Sequence, residues 1–115
     1  MIEKMVRIGR LYDYYGALLT EHQQKCIELH YLQDMSLGEI AAELSVSRQA
    51  INDNLRRAED SLEQFETKLK LVAEDDSRNA VLDKVIALLR EPTDSDIDIT
   101  IRLGEARELL TKILK

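Results

Sequence analysis

The chain has 115 residues, a net charge of −6, one cysteine, one proline and four glycines. That length supports a hydrophobic core in one domain or two small lobes, and a single cysteine excludes an internal disulfide. The acidic balance argues against indiscriminate affinity for nucleic acid or anionic membrane surfaces.

Scarce Gly, Pro and aromatic residues predict an all-α chain. Nothing at the N-terminus reads as a signal peptide or spanning segment, so a soluble cytoplasmic protein without membrane insertion is expected. A first helix is predicted over about 3–19, with Met5, Ile8, Leu11, Tyr12, Tyr15, Leu18 and Leu19 on its apolar side and Tyr14 outward. Thr20 and Gln23 form a capping box that restarts the chain as a second helix carrying Cys26, Ile27, Leu29 and Tyr31.

The stretch SLGEIAAELSVSRQAINDNL, residues 36–55, has the spacing of two short helices joined by a tight turn. Ser36 and Glu39 cap the first, whose inner face holds Ile40, Ala41 and Leu44. Ala41 permits close crossing, Val46 lies in the turn, and Ile51 and Leu55 form the inner face of the second helix. Ser47 is placed to cap that helix. Arg48, Gln49, Asn52 and Arg56 are then candidates for base edges, with Ser47 and Arg57 for phosphates.

Ile51, Leu55, Ala58, Leu62, Phe65, Leu69 and Val72 alternate steps of four and three. This heptad pattern predicts one helix from Ser47 to about Glu74, roughly 40 Å long at 1.5 Å per residue. Its outer part, Leu62, Phe65, Leu69 and Val72, forms a candidate dimerisation seam, to be covered by the C-terminal helices or by a second copy. Asp76 or Ser77 is placed to cap a helix carrying Val81, Leu82, Val85, Ile86, Leu88 and Leu89, which Glu91 and Pro92 stop. A last helix carries Ile99, Leu103, Ala106, Leu110 and Ile113, widened by Leu109 and Leu114. The expected organisation is a helix-turn-helix domain over 1–60 and a helical extension over 61–115. The apolar supply of that extension favours a homodimer over a chain folded back on itself.

With the preceding LTEHQQKCIELHYLQDMS, the two-helix stretch resembles region 4 of bacterial sigma factors over about residues 18–62. Together with the opening LYDYYGALL, the whole chain is similar to the YlxM-type family of small helix-turn-helix proteins. That resemblance implies a sigma region 4-like core and a bacterial cytoplasmic protein, a DNA-binding regulator. It also implies an alternative, through gene neighbourhood: an accessory protein of the signal recognition particle pathway, binding its RNA or its GTPase rather than DNA. A third reading is an interaction module whose heptad helix recruits a partner.

Sigma-type recognition helices usually expose Lys or Arg, because phosphate neutralisation supplies most of the affinity. Here Arg48, Arg56 and Arg57 are balanced by Asp53, Glu59 and Asp60, although Lys4, Arg7 and Arg10 offer a further basic stripe. His22, Cys26 and His30 have helical spacing for zinc, but a fourth ligand is not evident and Cys26 occupies an apolar position, so no metal is expected. Tyr12 and Tyr15 read as core rather than as stacking platforms for bases. The acidic runs 74–76 and 94–98 suit helix starts, and no phosphate loop, nucleophile elbow or triad appears. Neither an enzyme nor a cofactor is expected.

Overall fold

A computed structural model describes residues 2–114, which form six α-helices and, among the described residues, no strand. They are α1 (Ile2–Tyr15), α2 (Glu21–Ile27), α3 (Leu37–Leu44), α4 (Arg48–Leu69), α5 (Leu71–Arg90) and α6 (Asp96–Ile113). A 3-10 turn, Gly16–Leu18, follows α1, and a π-helical stretch, Glu28–Leu32, extends α2. No helix among the described residues is long and apolar enough to cross a membrane. The chain divides into two compact units, 1–72 and 73–115.

In the first unit Ile8, Leu11, Tyr15, Leu19, Cys26, Ile27, Ile40, Ile51, Leu55 and Leu62 are buried in one cluster. The first helix ends earlier than its apolar pattern suggests: it stops at Tyr15 and passes into the 3-10 turn, where the Gly16 backbone runs against the Tyr12 ring. A Cβ at Gly16 would lie 2.8 Å from that ring. Leu18 is consequently exposed, as is Met5 near the other end, while Tyr14 packs partly against the core instead of facing outward. Both predicted capping boxes form. Gln23 N donates to Thr20 Oγ1 at 3.2 Å and Thr20 N to Gln23 Oε1 at 3.1 Å; the Ser36–Glu39 pair does the same at 3.1 and 3.0 Å.

The predicted single helix from Ser47 to about Glu74 is two helices. Lys70 takes a left-handed conformation, φ 57°, and ends α4 by donating its N–H to Glu66 O. In a continuous helix the N–H groups of Leu71 and Val72 would bond to the carbonyls of Thr67 and Lys68. Instead Leu71 N donates to Tyr15 Oη at 3.0 Å and Val72 N to Glu66 Oε1 at 3.0 Å, while the Tyr15 hydroxyl itself donates to Glu66 Oε1. A phenol and a carboxylate thus supply the caps of α5, and the break turns Val72 into the core at 2% exposure. Asp76 and Ser77, the expected caps, are therefore interior to α5.

Two further phenols make the same kind of bond: Tyr12 Oη to Glu28 at 2.9 Å and Tyr31 Oη to Glu59 at 2.8 Å. Lys4 Nζ meets Glu59 at 2.8 Å, and Arg7 grips Glu63 with two bonds of 3.0 Å. The guanidinium holds the Glu63 carboxyl below its ordinary value, and the carboxylate raises Arg7 in return.

In the second unit α5 stops at Arg90, as Glu91 and Pro92 predict, and Ser95 caps α6 by accepting from Asp98 N at 3.2 Å. Arg102 clasps the connecting turn, donating to Glu91 O and pairing with Asp98 at 2.9 Å. The apolar stripe expected to face inward on α6 does not: Ala106 is buried and Leu109 and Ile113 half-buried, but Ile99, Leu103 and Leu110 are exposed.

Tyr15→Phe removes one donor and one acceptor from the α4–α5 joint and should cost about 1–3 kcal/mol in urea unfolding, since the buried Glu66 and the Leu71 amide each lose a partner. An unchanged midpoint would show that the joint forms without the phenol. Burial, and then the carboxylates they bond, raise all three phenols above their ordinary value, Tyr12 to about 12. The unfolded chain therefore ionises first. Their contribution to stability is whole below pH ~10 and is lost as pH rises towards the folded values, so tyrosinate absorbance and loss of helicity should rise together in alkali.

Candidate nucleic-acid interface

The helix-turn-helix is α3, a turn of three residues, and the N-terminal half of α4. Ile40 and Ala41 on α3 and Ile51 and Leu55 on α4 are buried in the common core, and Leu44 packs beside them. The turn depends on Ser45, whose left-handed φ of 57° lets its own N–H and that of Val46 both reach Ala41 O, the latter at 3.1 Å. Ser47 Oγ accepts Ala50 N at 3.0 Å and opens α4. The cap formed by Ser36 holds the Glu39 carboxyl below its ordinary value, chiefly through the Ser36 N–H. A fixed charge therefore stands at the positive end of α3.

Packing of Ile51, Leu55 and Ala58 inward leaves Arg48, Gln49, Asp53, Arg56, Arg57 and Asp60 exposed. Asn52 is half-buried beside that face. Gln49 Nε2 donates to Asp53 Oδ1 at 3.3 Å, so the amide and the carboxylate hold one another along one turn of helix. Among the described residues no ion pair engages Arg48, Arg56 or Arg57. The charge balance differs from the one the sequence suggests. Glu59 is taken up by Lys4 and the Tyr31 hydroxyl, leaving three arginines against Asp53 and Asp60. By the same contacts Lys4 and Arg7 are discharged on α4 and do not extend the arginines into a basic stripe.

Spacing along the chain gave no sign of the neighbours that flank this face. Thr20, His22 and Gln23 at the start of α2 line a groove of about 440 Å³ with Ala50, Asp53, Asn54 and Arg57 of α4. Asn54 turns inward and donates to Cys26 Sγ at 3.5 Å, and His30 Nδ1 lies 2.8 Å from Met35 O. Burial raises the Cys26 thiol. Among the described residues no three His, Cys, Asp or Glu side chains gather as a metal site.

The outer heptad positions are distributed differently. Leu62 and Val72 fill the core of the first unit, at 0% and 2% exposure, and the half-buried Phe65 lies 6.0 Å from the Tyr15 ring. Leu69 is exposed.

Residues 2–100 match the UPF0122 family, described as "Putative helix-turn-helix protein, YlxM / p13 like". A UPF0122 protein of Geobacillus kaustophilus is 41% identical over 109 residues, covering 95% of this chain and 99% of the relative. Another, from Halalkalibacterium halodurans, is 48% identical over 85 residues, covering 74% and 78%. A third, from Lacticaseibacillus casei, is 47% identical over 89 residues, covering 77% and 79%.

Ser47→Ala leaves the Ala50 N–H without its acceptor and should cost about 1 kcal/mol of stability, with Ser47→Asp restoring most of it. Equal unfolding midpoints for all three would mean that the α3–α4 turn holds without its cap.

Proposed function

The chain belongs to the UPF0122 family of YlxM / p13-like helix-turn-helix proteins, and from that premise we propose that it is a cytoplasmic DNA-binding regulator that reads its site with the N-terminal half of α4. The observation that carries this reading is the set Arg48, Arg56 and Arg57, exposed and without ion pairs among the described residues, on a helix whose Glu59 and Glu63 are already paired from α1. Arg48 and Arg56 lie two turns apart on one side of α4, and their forks suit guanine edges in a major groove. Asn52 lies between them as an adenine reader. Gln49 and Arg57 occupy the adjacent stripe, where Arg57 suits a phosphate and Ser47, at the helix start, a second one.

A specific observation favours a second reading. Asp53 and Asp60 share the exposed face and Gln49 is tied to Asp53, a mixed surface that suits docking to the RNA or GTPase of the signal recognition particle.

Binding of the full chain to pooled genomic DNA and to signal-recognition-particle RNA, by fluorescence anisotropy at two salt concentrations, separates the two. The regulator reading expects an enriched DNA site and a loss of about 0.9 in the log–log salt slope on Arg57→Ala. Arg48→Ala and Arg56→Ala should each weaken that site about 5- to 150-fold and relax its sequence preference. No DNA binding at low salt overturns it, and RNA binding in that case selects the second reading.

A further inference from the structure

We propose that the α5–α6 hairpin is a self-association surface and that its occupant is the same hairpin of a second copy of this chain. The second unit does not bury its own apolar residues. Among the described residues 73–114 only Val85 and Ala106 are buried, at 5% and 4% exposure. A groove of about 330 Å³ remains between the helices, lined by Lys84, Ala87, Leu88, Glu91, Glu105 and Leu109. Two helices with so little shared core are not a stable layer by themselves.

The uncovered residues are ordered. On α5 the half-buried Val81 and Leu88 flank Val85, and one residue further along run Leu82, Ile86 and Leu89, exposed at 38, 48 and 57%. On α6 the half-buried Asp98, Arg102 and Leu109 are followed, again one residue further, by Ile99, Leu103 and Leu110, exposed at 40, 49 and 41%. Each outer set steps by fours and threes or their sum, the spacing of a bundle seam. One residue is a 100° turn of a helix, and in an antiparallel pair equal turns from the inner faces bring both outer sets to the same side. Leu89, Ile99 and Leu103 accordingly line one groove near the connecting turn.

The size of this face fits a second copy. Its six side chains expose about 500 Å², close to the apolar part, about 65%, of the roughly 800 Å² that each partner contributes to a standard homodimer. Charge fits as well. The N-terminal half of α5 carries Glu74, Asp75 and Asp76 against Arg78, which pairs with Asp75, and the C-terminal half carries Lys84 and Arg90 against Asp83, so a two-fold axis that sets two α5 helices antiparallel places a net acidic half opposite a net basic one. Two hairpins so joined make a four-helix bundle whose core is the exposed leucines and isoleucines.

Light scattering on the purified full chain tests this. The expected mass is twice 13.2 kDa for the wild type. Ile86→Glu and Leu103→Glu should each lower it to 13.2 kDa while circular dichroism shows the first unit still folded, and Leu69→Glu on α4 should leave the dimer intact. A wild type of monomer mass at about 100 μM, far above the Kd expected of an interface this size, overturns the proposal. So does a dimer that survives both hairpin substitutions, or one that Leu69→Glu alone dissociates.

Discussion

Tyr15 and Glu66 set the plan of the first unit. The two residues lie 51 positions apart in the chain, and their atoms accept from two of the amide groups that the start of α5 would otherwise leave unsatisfied. A buried carboxylate tolerates its position only with such partners, and here it has a phenol and a backbone N–H on one oxygen. Around it Glu59 and Glu63 repeat the theme with Tyr31, Lys4 and Arg7. Glu59, Glu63 and Glu66 of the far half of α4 are thereby matched from α1 and from the π-helical stretch, while Asp60 stays exposed. The near half keeps its arginines exposed. One helix thus serves as core scaffold at one end and as a presenting surface at the other.

What was legible in the sequence was what is decided within four residues. Both capping boxes, the Ser47 cap, the inward Ile40, Ala41, Ile51 and Leu55 and the stop at Glu91–Pro92 depend on local spacing, and each forms where its residues place it. The break at Lys70 was not legible, because its residues, KLKLV, contain neither Gly nor Pro and the apolar rhythm continues through them. The break requires a left-handed lysine, and the tyrosine that accepts the N–H of the next residue, Leu71, lies 56 positions away from it. The charge of α4 is illegible for the same reason. Counting the ions of residues 47–60 gives a neutral helix, whereas Lys4 removes Glu59 from that count. The groove between the start of α2 and α4 is likewise a product of tertiary packing.

In the C-terminal unit the quantity of apolar surface was legible and its placement was not. Both helices carry apolar residues on two adjacent stripes, so periodicity alone accepts either as the inner face. The chain turns the stripe containing Arg102 inward on α6, where that guanidinium reaches the connecting turn at Glu91 and pairs with Asp98 of its own helix. A polar clasp thereby selects the helix rotation, and the rotation leaves Ile99, Leu103 and Leu110 outside.

Association through that face has a consequence for the arginines of α4. A single copy offers Arg48, Arg56 and Arg57, too few cations for strong electrostatic binding by an acidic chain at physiological salt. A two-fold dimer doubles them and converts the second contact into an intramolecular one, with an effective concentration set by the separation of the two α4 helices. Nucleic-acid affinity then depends on protein concentration. Leu103→Glu, which touches no arginine, should weaken binding to a two-fold site while leaving the contact of one copy with a half-site unchanged. Sequence-specific binding of full strength by that variant, at concentrations where its mass is 13.2 kDa, would show that one α4 suffices and that the hairpin associates for another purpose.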